Sequence, residues 1–255
     1  AQRFRKTRSE QRFSSFISLS STIGIALGCF VLIVLLSVMN GFEKELTSRI
    51  LSVVPHGELY SKSESGIENL DAQLYRLSQD SRIASVTPYT GITGMLQSKG
   101  ELKAISVTGI PVNSVSDKYS ERVTSEDWQR FSTQKNGLIV GKGIFASMDL
   151  NIGDIVQILI PQTTQDLTCK APRTIPLSIS GVLSVGGELD NQLGLMHLET
   201  ASEAIGISSK SQGIQFTLKD PFSSYDTMRD IGYSYPQGVY MSDWTRTQGH
   251  LYNDI

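Results

Sequence analysis

The sequence predicts an α+β fold: an N-terminal transmembrane helix followed by an extracytoplasmic domain of two lobes, a split βαβ lobe with a mostly β lobe inserted. Three observations carry that expectation. A charge-free apolar run lies near the N-terminus, strand and helix periods alternate at both ends of the remaining chain, and apolar runs of strand length fill its middle.

The membrane segment comes first. No charged residue occurs from Phe13 to Phe42, and inside that window Phe16 to Met39 reads FISLSSTIGIALGCFVLIVLLSVM. As a helix its 24 residues span about 36 Å, enough to cross a hydrocarbon core of roughly 30 Å with some tilt. A buried globular helix seldom runs that long without a charge. A cleaved signal peptide has a shorter apolar core, roughly 7–15 residues, and a small-residue cleavage site that is missing here. The run therefore reads as a retained span, the helical part of residues 16–54.

Charge sets its direction. Residues 1–15 form a basic head, where Arg3, Arg5, Lys6, Arg8 and Arg12 outnumber the one acid, Glu10. The first twelve residues carry +4, and with a total of −2 for the 255-residue chain the rest carries −6. The positive-inside bias places the head in the cytoplasm and the body outside. A nucleic-acid arm would share the basic head, but a hydrocarbon-like run does not continue such an arm.

Two further patterns lie on this helix. Ser20, Gly24 and Gly28 recur every four residues and make a small-residue face on which another helix can approach closely. Past the membrane, Met39, Phe42, Leu46, Ile50 and Val53 keep the helical period, with Glu43, Lys44, Glu45 and Arg49 on the other face. The helix should project into the aqueous space until Pro55, which cannot continue it. Its apolar stripe must then be covered by partner helices, by the chain's own domain or by a lipid-like substrate.

The exterior domain divides by texture. Residues 55–110 and 213–243 form the α/β lobe. A strand at Gly57 to Tyr60 precedes a helix bearing Ile67, Leu70, Leu74 and Leu77, and strands at Ile83 to Gln97 and Leu102 to Ile110 flank the turn Ser98-Lys99-Gly100. Near the end, Ile214, Phe216 and Leu218 alternate as a strand, Asp220 caps a helix that begins at Pro221 and runs to about Ile231, and Gly238 to Met241 reads as a strand. Residues 111–212 form the mostly β insertion. Its strands are Leu138 to Val140, Ile155 to Ile160, the alternating Ile175, Leu177, Ile179 and Leu183, and Leu193 to Leu198. A long polar loop, Pro161 to Arg173, projects between two of them and has the length of a functional loop or of plain surface decoration.

Residues 244–255 read as a return segment toward a second transmembrane helix that is missing. The lack of an initiating Met and the abrupt end suggest a chain trimmed from a longer protein. Cys29 in the membrane and Cys169 in an exterior loop cannot pair, so the fold does not depend on an internal disulfide.

Catalytic motifs are absent. There is no HExxH, GxSxG or CxxC, and His56, His197 and His250 are scattered without metal-ligand neighbours. The nearest approach to a phosphate loop, Gly137 to Gly143 (GLIVGKG), is one residue short and lacks Ser or Thr after Lys142. It reads as a strand turning into a helix from Ile144 to Leu150. No catalytic residue, metal or cofactor is expected in this chain.

The run STIGIALGCFVLIVLLSVMNGFEKELTSRILSVVPHGEL, from Ser21 to Leu59, closely resembles the first membrane helix of the lipoprotein-releasing permeases LolC and LolE. The resemblance continues through GLIVGKGIFASMDLNIGDIVQILIP (Gly137 to Pro161) and LDNQLGLMHL (from Leu189) to Leu251–Ile255. The VPHGE stretch, the GKG turn and the LYNDI ending look more like LolE. It implies a four-span permease of an inner-membrane ABC complex with a MacB-like periplasmic domain, a LolC-type sister subunit and two copies of the ATPase LolD. ATP and Mg would belong to that ATPase. The family extracts triacylated lipoproteins from the outer leaflet and passes them to the periplasmic carrier LolA.

With that resemblance, Leu35, Val38, Met39, Phe42 and Leu46 become candidates for contact with acyl chains, Met39 as a flexible filler. The same stripe could instead only pack against partner helices. Pro161, Pro172 and Arg173 bracket the loop at which LolC-type subunits hook the carrier. Gln157 stands where the LolC pattern has an arginine, which fits a LolE-type subunit. Two rivals stay open: a MacB-like efflux or mechanotransmission permease with another cargo, and a single-span periplasmic binding or sensor module.

Overall fold

The computed structural model describes residues 2–51, 55–112, 119, 122–161 and 172–243, with the side chains of the first helix described at Phe16 and residues 18–41. The chain divides into two compact units, residues 1–50 and 51–255. The first unit is α1 (Gln2–Leu51), one helix of 50 residues. Within it Ser18–Gly41 is long and apolar enough to cross a membrane. Every residue of that stretch is exposed, including Ile25, Leu27, Ile33 and Leu36, a pattern suited to lipid or to neighbouring helices and not to water.

The second unit opens with β1 (Gly57–Ser61), α2 (Leu70–Ser78), β2 (Ile83–Ser98) and β3 (Glu101–Ile110). It continues with α3 (Ser125–Thr133), β4 (Gly137–Gly141), α4 (Lys142–Ser147), β5 (Ile155–Ile160), β6 (Arg173–Leu183), β7 (Leu193–His197) and α5 (Leu198–Ile205). It closes with β8 (Gly213–Leu218), α6 (Ser224–Tyr233) and β9 (Val239–Asp243).

The first half of β2 pairs with β8, β8 with β1, and β1 with β9, all antiparallel. β1 and β2 are therefore parallel with β8 between them, and β8 and β9 are parallel with β1 between them. Each pair is joined by a crossover helix, α2 or α6. Both helices cover one face of this sheet, over Leu59, Ile67, Leu77, Ile214, Phe216, Met228 and Ile231.

The second half of β2 enters a different structure. It pairs with β3 and with β5; β3 continues to β7, β7 to β4, β4 to β6, and β6 returns to β5. The circuit closes. Six strands form a small barrel without a free edge, filled by Leu96, Ile105, Val107, Leu138, Val140, Val156, Ile158, Leu177, Ile179 and Met196. β4 is buried on both faces because α3 covers it outside, placing Phe131 against Ile139. Its unbroken apolar sequence follows from that double burial.

The pairing moves the boundary between lobes. The expected division at residue 111 leaves β3 with the α/β lobe; the ladder places β3 in the barrel, and the changeover falls inside β2 at Tyr89 and Thr90. A 16-residue strand with no turn inside it can serve two sheets. Asp220 is also displaced from its expected role. It heads a 3₁₀ turn at Pro221–Ser223, and the helix proper starts at Ser224 after Ser223, without a side-chain cap. The helix expected from Ile144 to Leu150 starts earlier, at Lys142, and ends at Ser147, just before left-handed Asp149 (φ 45°).

Candidate functional site

Successive residues of an α-helix turn by about 100°. Counted that way, Leu35 lies only about 20° from Gly28, and Val31, Leu35, Val38 and Met39 continue the side on which Ser20, Gly24 and Gly28 sit. One face of α1 thus has two halves: small residues toward the basic N-terminal end, large apolar ones toward the C-terminal end of the span. Among the described residues, a Cβ added at Gly24 or Gly28 would meet nothing within 4 Å. In the upper half Phe30, Val31, Val34, Leu35, Val38 and Met39 line one shallow, wholly apolar groove. Leu35 is 62% exposed, Val38 67% and Met39 48%. The nearby hydroxyl of Thr22 is satisfied within the helix, donating to the Ser18 carbonyl at 2.8 Å.

The structure brings Leu35, Val38 and Met39 onto one surface. Helical backbone continues through Phe42 and Leu46 to Leu51, but the side chains of Phe42 and Leu46 lie outside the described residues. Chemically this face can do one thing: offer hydrocarbon contact to another helix or to an acyl chain.

The second candidate, the loop bracketed by prolines, lies in the other unit. Its neck is the β5–β6 hairpin, whose last pairs are Leu159↔Thr174 and Ile160↔Arg173. Pro161 and Pro172 follow immediately and lack the N–H that a further rung would need. Pro161, Pro172 and Arg173 are all exposed, as is Gln157, while residues 162–171 with Cys169 lie outside the described residues.

The histidines are structural where described. His56 is buried, and its Nδ1 meets the Leu218 N–H at 2.9 Å; His197 donates from Nε2 to the Phe131 carbonyl at 2.6 Å. His250 lies outside the described residues. Among the described residues no group of three or more His, Cys, Asp or Glu could hold a metal. The GKG turn is closed by its neighbour, since a Cβ at Gly141 would collide with the Asp190 carbonyl oxygen. Glycine is needed there so that the 187–191 turn can press on the strand end, and no phosphate cradle remains.

Elsewhere in the second unit lies a cleft that no local spacing announces, because its residues are far apart in the sequence. It has a volume of about 310 Å³, sits between the four-stranded sheet and the barrel, and is lined by Glu58, Tyr89, Tyr119, Gln192, Gln215 and Asp243, among others. Glu58 accepts from Gln215 Nε2 at 2.8 Å and from the Tyr89 hydroxyl at 3.3 Å. Burial, with the Glu58 carboxylate second, pushes the Tyr89 and Tyr119 phenols well above their ordinary value.

The family model for the MacB-like periplasmic core domain matches residues 18–232. The lipoprotein-releasing system transmembrane protein LolE of Haemophilus influenzae is 33% identical, over 99% of this chain and 62% of its own length. The transmembrane protein LolC of the same system in Xylella fastidiosa is 28% identical, over 99% of this chain and 61% of its own. The chain thus spans about three fifths of the length of these curated relatives. Among solved structures, the periplasmic region of MacB from Actinobacillus actinomycetemcomitans matches with a TM-score of 0.46 and 13% identity, over 80% of this chain and 96% of that one.

Proposed function

The chain belongs to the MacB-like periplasmic core domain family, and on that premise we propose that it is a LolE-type permease subunit of an inner-membrane ABC complex that releases lipoproteins. The complex extracts triacylated lipoproteins from the outer leaflet and delivers them to a periplasmic carrier. One observation supports this reading above others: the exposed apolar face of α1, with Leu35, Val38 and Met39 at the exterior end of the span. Moving an acyl chain out of lipid costs about 0.8 kcal/mol per CH₂ exposed to water. A surface that carries hydrocarbon contact to the edge of the bilayer lowers that cost where extraction begins.

In this reading a LolC-type subunit and a LolD-type ATPase dimer complete the machine. The ATPase holds ATP and Mg, and this chain performs no catalysis. Its N-terminus is cytoplasmic, its second unit periplasmic, and further spans follow in the whole protein. Purified with its native partners, the full-length protein should carry a LolD-type ATPase and bound lipoproteins. Recovery instead with an outer-membrane exit duct and a periplasmic adaptor would transfer it to an efflux machine of the MacB kind.

Carrier docking belongs to the sister subunit in this scheme, because the neutral Gln157, four residues before Pro161 on β5, stands where the LolC pattern has an arginine. Titration calorimetry of this protein's exterior region against a LolA-type carrier should show no micromolar binding. A micromolar isotherm would move the hook to this chain.

A further inference from the structure

The chain passes between the four-stranded sheet and the barrel twice: in β2 at Tyr89–Thr90, and in the segment 206–212 that returns from α5 to β8. The two crossings are tied to each other by hydroxyl groups that water does not reach. Thr90 is 0% exposed, Ser202 3% and Ser211 0%.

The direction of each bond follows from the proton count. Ser202 Oγ has one hydrogen and gives it to the Lys210 carbonyl at 2.8 Å. The 2.8 Å contact between Ser202 Oγ and Thr90 Oγ1 must then be donated by Thr90. Thr90 Oγ1 in turn accepts from the Gln212 N–H at 3.2 Å. The relay runs from Gln212 through Thr90 and Ser202 to Lys210, so it begins and ends on the return segment and passes through β2 and α5. Beside it, Ser211 Oγ has one hydrogen and gives it to the Gly213 carbonyl at 2.5 Å while lying 3.1 Å from the Tyr89 carbonyl, and the Gly91 N–H donates to Gln212 Oε1 at 3.0 Å. The return segment is also stitched to the first lobe, since the Ile67 N–H donates to the Ser211 carbonyl and the Ser209 N–H to that of Ser65, each at 3.0 Å.

A joint between lobes made of apolar contact can slide. A relay with a buried centre cannot, because tilting one lobe strands the Thr90 and Ser202 hydroxyls together, with no water to take them. We infer that this relay makes the sheet lobe and the barrel turn as one body, and that Thr90 and Ser202 are positioning residues for release: motion entering the sheet lobe reaches the barrel and its β5–β6 hairpin without loss. The release half of this inference rests on the function proposed above; the rigidity half does not.

Spin labels at Tyr225→Cys on α6 and Ile155→Cys on β5 report the distance between lobes, in the full-length complex in lipid nanodiscs with Cys29 and Cys169 replaced by serine. Both labelled positions are exposed. The wild-type complex should show a single narrow distance population by double electron–electron resonance. Thr90→Val, which keeps shape and removes the hydroxyl, should add a second population and lower lipoprotein release with the ATPase still bound. Thr90→Ser should restore both. Ser202→Ala serves as an independent break should Thr90→Val fail to fold. A narrow single population in the folded hydroxyl-free variants, or two populations in the wild type, overturns the joint. Broadened distances in the variants of a complex that releases no lipoprotein even as wild type would leave the joint standing and remove the function.

Discussion

Met39→Asp is expected to stop lipoprotein release while the membrane complex still assembles. Met39 lies three turns beyond Gly28 on the face of α1 that carries the apolar groove, and it is 48% exposed. A carboxylate at the centre of a membrane helix costs about 2.5–3.5 kcal/mol for insertion, and less toward the ends, where it reaches the headgroups. The span Ser18–Gly41 ends only two residues beyond Met39, so insertion should survive. An acyl chain laid against position 39 meets the full penalty, because it has no water to offer the charge. A loss of roughly 3 kcal/mol in that contact slows a step that depends on it about a hundredfold. Phe42→Asp, one turn on, should act in the same way if the stripe continues with the helix, and Met39→Leu should release normally because size and polarity are kept. The measurement is release of lipoprotein from proteoliposomes to a soluble carrier, with ATPase co-purification as the assembly control. Normal release by both aspartate variants would dissolve the assignment of this face to acyl chains.

How much of this is legible in the sequence varies by element. α1 is legible because a water-soluble helix seldom keeps a window of that length free of charge. The β2–β3 hairpin is legible from Ser98-Lys99-Gly100: Lys99 (φ 51°) and Gly100 (φ 87°) both adopt the left-handed turn that such a short connection requires. Strand identity is mostly legible, and strand partners are not. A period of two says which side chains share a face but not which strand lies alongside, so the closed barrel and the double membership of β2 have no signature. α3 leaves a weak trace, Thr124 capping the Asp127 N–H at 3.3 Å, but Trp128 and Phe131 alone are too few to set a period. α5 begins directly after β7 with no loop, and reading Leu198 as strand hides it; its stop, Gly206 with φ 81°, is in plain view. On the candidate site, spacing puts Leu35, Val38 and Met39 on one stripe. That this stripe stands directly above Ser20, Gly24 and Gly28 follows only when the face is followed turn by turn along one unbroken helix.

That alignment makes a second, separable expectation. Gly28→Leu should prevent assembly with the sister membrane helices and, through that, abolish release. Among the described residues a Cβ at Gly28 meets nothing within 4 Å, so the chain's own fold should not register the change, and thermal unfolding of the second unit should match the wild type. The effect would come from the neighbour. Glycine and serine every four residues let two backbones approach, where attraction in lipid comes from close van der Waals contact; a leucine there holds the helices apart. A tenfold fall in recovered complex corresponds to about 1.4 kcal/mol of lost association, and Gly24→Leu should behave alike. Gly28→Ala should be milder because it adds a single carbon. If the small residues close on a neighbour, the larger side chains just above, Val31, Leu35 and Val38, must hold the same two helices further apart toward the exterior. That divergence opens a lateral gap where an acyl chain would enter from the outer leaflet. The two substitutions therefore test different halves of one face: Met39→Asp should assemble and fail to release, Gly28→Leu should fail to assemble. Full recovery of complex with leucine at both Gly24 and Gly28 would show that no helix seats there, and the gap above would lose the contact that shapes it.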